Sequence, residues 1–241
     1  MSPLFEELDY RPTPMGDLSL RRRREPRFDV TIEEIKLGEE FLMSSLFTDG
    51  EIALAELALA AHGGTGMDVA VGGLGLGYTA LAALQRPCTG ALLVIEAAQA
   101  VLDWHRDGLL PLGPQLCADP RCRLVQGDFF ARAAGLDGLD PQDPARRFDA
   151  ILLDIDHAPG FVLHPGHRGF YSAAGLRRLA RHLRPGGIFA LWSNEPPDPG
   201  FGDTLAGAFA WTRAERVPVR DPHGGIAGQN TIYLAREPVG A

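Results

Sequence analysis

The sequence predicts an α/β fold: a Rossmann-like, doubly wound sheet that ends in an antiparallel hairpin, preceded by a small N-terminal β-sheet. Three observations carry this. Between residues 67 and 192, short apolar strands alternate with segments of helix length, as in a parallel sheet covered on both faces. The first of those strands runs straight into a glycine-rich turn. The last two strand-like segments are joined by a Gly/Pro turn with no helix between them.

Residues 17–22 and 28–37 contain short alternating stretches, with Phe28, Val30 and Ile32 on one side, and Pro26 lies in the link between them. They predict a sheet of two to four strands within residues 1–50, and residues 51–241 then form the Rossmann-like domain. Residues 51–62 are rich in Ala and Leu, a helix by propensity, ended by Gly63 and Gly64. Strands are predicted at 68–72, 91–95, 122–126, 148–153 and 188–192. Helices are predicted from 79, at 99–109, and at 172–183, the last stopping before Pro185, Gly186 and Gly187. Residues 135–147 read as a polar loop. Residues 211–219 and 230–235 close the chain as a hairpin around the turn at 221–225.

Composition bounds the function. A formal net charge of −8 opposes nucleic-acid binding and is compatible with a cationic small substrate such as an amine. The basic run at 21–24 reads as the polar end of a surface strand. The longest apolar run, 52–61, is too short to span a membrane and contains Glu56. The first ten residues are acidic and do not resemble a secretory leader. Cys88, Cys117 and Cys122 are odd in number and irregularly spaced, which suits a reducing, cytoplasmic setting better than a disulfide framework.

Four motifs carry chemistry. The first is the turn with Gly72, Gly73, Gly75 and Gly77, where the backbone can approach a ligand and a helix N-terminus follows. Its spacing is G-x-G-x-G, and Tyr78 breaks the G-x-G-x-x-G dinucleotide fingerprint. The shorter spacing favours a nucleoside with an amino-acid tail over a pyrophosphate. The second is Glu96 at the end of the next strand, placed to accept from ribose hydroxyls. The third is Asp128 with Phe129, which suits an adenine amino group and its ring; the competing reading of Asp128 is a helix cap. The fourth is Asp154 and Asp156 at the carboxyl end of the fourth strand, where ligands of open α/β sheets bind. A carboxylate there can orient an attacking amine or take its proton. His157, His164 and His167 follow in a Pro/Gly-rich loop without a helical pair to fix ligands, so no metal is expected. His157 and Tyr171 are candidates for the substrate pocket.

This order of motifs resembles the spermidine synthase-like family, which has the class I S-adenosylmethionine-dependent methyltransferase fold. GGLGLG resembles its Gly loop, VIEA its ribose motif, GDFF its adenine motif, and DAILLDIDHAP its catalytic strand. The resemblance implies S-adenosylmethionine or its decarboxylated form as cofactor, a small-molecule acceptor, and pairing as a homodimer. Three departures stand out. The family's acidic residue inside the loop, as in GGGDGG, is Gly75 here. Its Tyr-His pair on the first helix is Leu54-Ala55. Its D-x-x-D is Asp154-x-Asp156. Loss of the loop carboxylate removes a repulsion against the carboxylate of intact S-adenosylmethionine, so methyl transfer is the leading expectation. Aminopropyl transfer and a non-catalytic nucleoside-binding relative are the alternatives. A nicotinamide oxidoreductase is opposed by the glycine spacing and the terminal hairpin.

Overall fold

A computed structural model of the chain describes residues 4–13 and 16–238. Four antiparallel strands, β1 (Phe5–Thr13), β2 (Gly16–Glu25), β3 (Val30–Leu37) and β4 (Glu40–Ser44), form the first sheet in chain order. α1 (Asp49–His62) follows, and Gly63 ends it in the left-handed conformation. A seven-stranded sheet then has the order β10-β11-β9-β8-β5-β6-β7. Its strands are β5 (Met67–Gly72), β6 (Thr89–Glu96), β7 (Cys122–Gln126), β8 (Phe148–Leu153), β9 (Leu183–Ser193), β10 (Phe209–Arg220) and β11 (Ile226–Pro238). β5, β6, β7, β8 and β9 pair in parallel, while β11 joins β9 and β10 antiparallel. The expected α/β class, the terminal hairpin and the separate N-terminal sheet are all present.

The central strands are apolar without alternation because both faces are buried. Val69, Val71, Leu92, Val94, Ala150 and Leu152 point to one face, against α1, α2 (Tyr78–Gln85) and α3 (Gln99–Arg106). Ala70, Leu93, Ile95, Ile151 and Leu153 point to the other, beneath Phe129, Phe170, Leu176 and Phe201. Leu18, Leu20 and Ile35 of the small sheet are buried in the first of these two clusters, so the small sheet packs on the α1 face.

Several boundaries differ from expectation. The helix expected over 99–109 ends at Arg106, and a short α4 (Gly113–Ala118) follows. α5 (Phe129–Ala134) is the helix that the cap reading of Asp128 implied, and α7 (Pro199–Ala206) was not expected; each is one or two turns long, begins at an Asp cap and has little periodicity to read. α6 (Ala173–Ala180) is shorter than predicted because β9 already starts at Leu183. The basic run at 21–24 is also more than a solvated end. Arg22 reaches Glu33 at 3.0 Å, and Arg23 reaches Glu34 at 2.8 Å and Glu25 at 2.6 Å, so the run is paired with its own and the neighbouring strand.

The chain runs from β5 outward to β6 and β7, then returns to β8 on the other side of β5. That reversal makes a crevice at the carboxyl ends of β5 and β8, the usual ligand position in open α/β sheets. The Asp154 N–H donates to Gly72 C=O at 2.8 Å and stitches its two walls together.

Candidate functional site

The Gly loop fills this crevice tightly. Gly73 has φ 94°, and a Cβ there would collide with the Asp154 carbonyl. Gly75 has φ 48°, and its Cβ would collide with Sδ of Met43 on β4. Leu76 N–H points at the same sulfur, 3.1 Å away. Gly77 caps α2 in the left-handed conformation, and Gly72 lies against the Phe129 ring. His105 Nε2 lies 2.9 Å from the Gly75 carbonyl, so that nitrogen carries the proton and donates.

Glu96 ends β6 beside this loop. Its Oε2 accepts Leu74 N–H at 2.9 Å and its Oε1 accepts Ala98 N–H at 2.8 Å. Burial raises its pKa, and backbone amides from Ala98 and Leu74 act against that shift. The amides of Gly75 and Ala97 also point at it, so the carboxylate is held in place by the backbone of the Gly loop and of the turn after β6. Asp128 is exposed and accepts Ala131 N–H at 3.1 Å, which makes it the cap of α5. Phe129 is 1% exposed and packs in the core under Gly72. It shapes the floor of the loop.

Asp154 lies just past β8, as expected. Thr79 Oγ1, in the first turn of α2, donates to its Oδ2 at 2.5 Å. Sequence reasoning did not single out its partner, Glu51, in the first turn of α1. Glu51 is 7% exposed. Burial raises its pKa to about 8, with the charge of Asp154 next in importance and Asp49 adding to it. Burial likewise raises Asp154 to about 6, opposed by the Thr79 hydrogen bond. The two titrate as a coupled pair that holds a proton near neutrality. A carboxylate in an Ala/Leu-rich helix otherwise buried on this side was the signal available. It reads equally well as an ordinary acidic residue in a helix first turn, which is why it passes unnoticed.

Glu51 opens into a cavity of about 650 Å³ between the small sheet, the loop after β8 and the terminal hairpin. Met43, Glu51, His157, Trp192 and Asn230 line it. His157 reaches it as expected, with Nε2 3.4 Å from Glu40 Oε1 across the rim. Gly50 is fixed by packing: a Cβ there would collide with Asn230 Oδ1 and Trp192 Nε1.

Asp156 and Tyr171 sit elsewhere than their expected roles would place them. Asp156 is 1% exposed. Its Oδ1 accepts Leu163 N–H at 2.7 Å, its Oδ2 accepts the Tyr171 hydroxyl at 2.8 Å, and His167 Nδ1 lies 2.9 Å from Oδ1. These bonds pin the whole loop from 157 to 171. Tyr171 is 8% exposed in the aromatic core beside Phe170. His167 stacks on Phe130 with centroids 4.0 Å apart, and His164 caps the 3₁₀ turn Pro165–Gly169. Among the described residues no cluster of His, Cys, Asp and Glu could hold a metal ion, and no helix is long and apolar enough to cross a membrane.

No family model matches the chain. Solved structures do share its fold. A spermidine synthase crystallised in complex with the transition state analogue AdoDATO superposes with a TM-score of 0.68 at 15% identity, over 95% of this chain and 71% of that one. The spermidine synthase from Thermotoga maritima gives a TM-score of 0.69 at 15% identity, over 95% and 72% of the two chains.

Proposed function

We propose that the protein transfers an alkyl group from an S-adenosylmethionine-type nucleoside to the nitrogen of an amine. The observation that carries this reading is the Glu51–Asp154 pair. The Thr79 hydroxyl lies 3.3 Å from the Glu51 carbonyl and bonds Asp154, the charge of Asp154 raises the proton affinity of the buried Glu51, and an ammonium held beside the two relieves that repulsion. Asp154 is the group to receive the proton that the nitrogen must shed before it can attack. Thr79 fixes the Asp154 carboxylate, and the Asp154 backbone is fixed by Gly72. Positioning and exclusion of water supply the rest of the acceleration.

The residues present fit the nucleoside. Glu96 is fixed by backbone amides at the end of β6, where a ribose would lie, and the Gly loop leads into the N-terminus of α2. When bound, the nucleoside supplies an electrophilic carbon on a sulfonium, so that a C–N bond forms as a C–S bond breaks and a neutral thioether leaves. Asp128 and Phe129 contribute as loop supports, since Asp128 caps a helix and Phe129 lies in the core.

Aminopropyl transfer, from decarboxylated S-adenosylmethionine, is the better supported version. Two solved structures that share the fold are spermidine synthases, one of them holding a transition state analogue. Glu51 also supplies a second carboxylate to the amine side, on the helix where Leu54-Ala55 replaces the family's Tyr-His pair. Methyl transfer remains a second reading because Met43 sulfur stands over Gly75, where the family's loop carboxylate would project.

Calorimetric titration with S-adenosylmethionine and with its decarboxylated form tests the proposal. Preference for the decarboxylated form is the expected result, and preference for the intact form turns the reading to methyl transfer. If neither binds, the transferase reading fails.

A further inference from the structure

We propose that the acceptor is an amine with an aromatic or extended apolar body, whose ammonium sits at Glu51 and whose body lies against Phe41, Phe47, Phe161 and Trp192. This rests on the amine-transfer reading and names its substrate class.

The cavity lining changes character along its length. Glu51 is a buried carboxylate of the lining, and the Thr79 hydroxyl lies 3.3 Å from the Glu51 carbonyl and 2.5 Å from Asp154 Oδ2. At the mouth are three exposed phenylalanines: Phe41 at 48%, Phe47 at 36% and Phe161 at 58%. A cluster of exposed aromatic rings on one rim is costly in water and marks a surface that is covered in use. The rings are not on loose chain. Phe41 lies on β4, and Phe161 is held in a tight turn by Phe161 N–H to Ala158 C=O at 2.9 Å. His157, 5.3 Å from the Phe161 ring, reaches Glu40 and joins the two sides of the rim.

The charges along the wall are arranged for one cation, not a row of them. Arg23 and Glu34 line the cavity, but they neutralise each other through two bonds at 3.0 and 2.8 Å. Glu195 is the remaining carboxylate of the lining, and it is exposed at the rim. A short linear diamine would meet Glu51 at one end and would leave most of the 650 Å³ and all three rings unfilled. An arylalkyl or long alkyl amine satisfies both ends, and the aromatic lining also favours an organic cation.

Purified protein, with nucleoside binding verified first, is titrated with phenethylamine, octylamine, putrescine and the neutral analogue phenethyl alcohol. Phenethylamine and octylamine are expected to bind roughly tenfold tighter than either putrescine or phenethyl alcohol. Phe161→Ala, a change at an exposed side chain, is expected to remove most of that advantage while leaving putrescine and nucleoside affinity unchanged. Preference for putrescine, or phenethylamine binding that Phe161→Ala and Phe41→Ala both leave unchanged, overturns this inference and leaves amine transfer standing. Binding of the alcohol as tightly as the amine overturns it too. Nucleoside binding without binding of any amine overturns this inference and the amine-transfer reading together.

Discussion

Replacing Glu51 with glutamine should stabilise the protein in alkali and abolish its activity. The carboxyl is almost fully buried and its pKa is raised from 4.5 to about 8, first by burial and then by Asp154. The folded protein therefore holds this proton where the unfolded chain has released it. For a raised acid the sign is fixed: stability contributed by Glu51 is lost as pH rises from its unfolded value through its folded one. Each tenfold in proton affinity is worth about 1.4 kcal/mol, so the loss amounts to about 2–4 kcal/mol once relaxation and sharing with Asp154 are allowed for. Glutamine keeps the shape and cannot ionise. At about pH 5 the two proteins should melt together, and at about pH 9 the variant should melt roughly 5–10 °C higher. Thermal unfolding across that range, with turnover measured in parallel, checks the prediction. A melting difference that stays constant with pH would show that Glu51 is not a buried titrating group, and a fully active variant would remove it from the amine site.

Three other substitutions separate the roles assigned above. Asp154→Asn should abolish turnover while nucleoside affinity stays within a few-fold; comparable activity in a single-turnover assay would remove Asp154 from proton acceptance. Glu96→Ala should weaken either nucleoside by about 1.5–3 kcal/mol, the cost of losing bonds to a charged group, and calorimetry reads this directly. Asp156→Asn should cost about 3 kcal/mol in urea unfolding, because Leu163 N–H, His167 and the Tyr171 hydroxyl share that carboxylate. It should also raise KM for the acceptor more than it lowers kcat, since the loop carrying His157 and Phe161 loosens. An unfolding curve identical to that of the unsubstituted protein would contradict the anchoring role.

What was legible in the sequence was whatever local chemistry dictates. Strands buried on both faces read as apolar runs, and β5, β6 and β8 were placed closely for that reason; β7, a half-buried edge strand, was placed by its position between helix-length segments. The Gly loop, Glu96 and Asp154 follow from the same logic, because they occupy strand ends that the topology brings together. Roles that depend on distant partners were not legible. Asp156 and Tyr171 looked like site residues from their nearness to Asp154 in sequence. The chain bends as it leaves β8 after Leu153, so Asp156 does not keep the side of Asp154; it is buried under the loop, where it bonds the Tyr171 hydroxyl fifteen residues on. Glu51 lies 103 residues before Asp154, and the two come together through the packing of α1 against α2, β8 and β9, with Thr79 of α2 between them. Asp128 satisfied the simpler rule that an aspartate before a helix caps it.

Met43 gives the protein a vulnerability that its cysteines do not suggest. Its sulfur accepts the Leu76 N–H and occupies the space above Gly75, so a half-buried thioether seals the loop expected to hold the nucleoside. Oxidation to the sulfoxide adds a polar oxygen at the one atom that has no room for it. Peroxide would then act as an inactivator through the small sheet, with a thiol reductant unable to reverse the damage and methionine sulfoxide reductase able to. The N-terminal strands thus give the protein a chemical lifetime as well as a wall for its pocket.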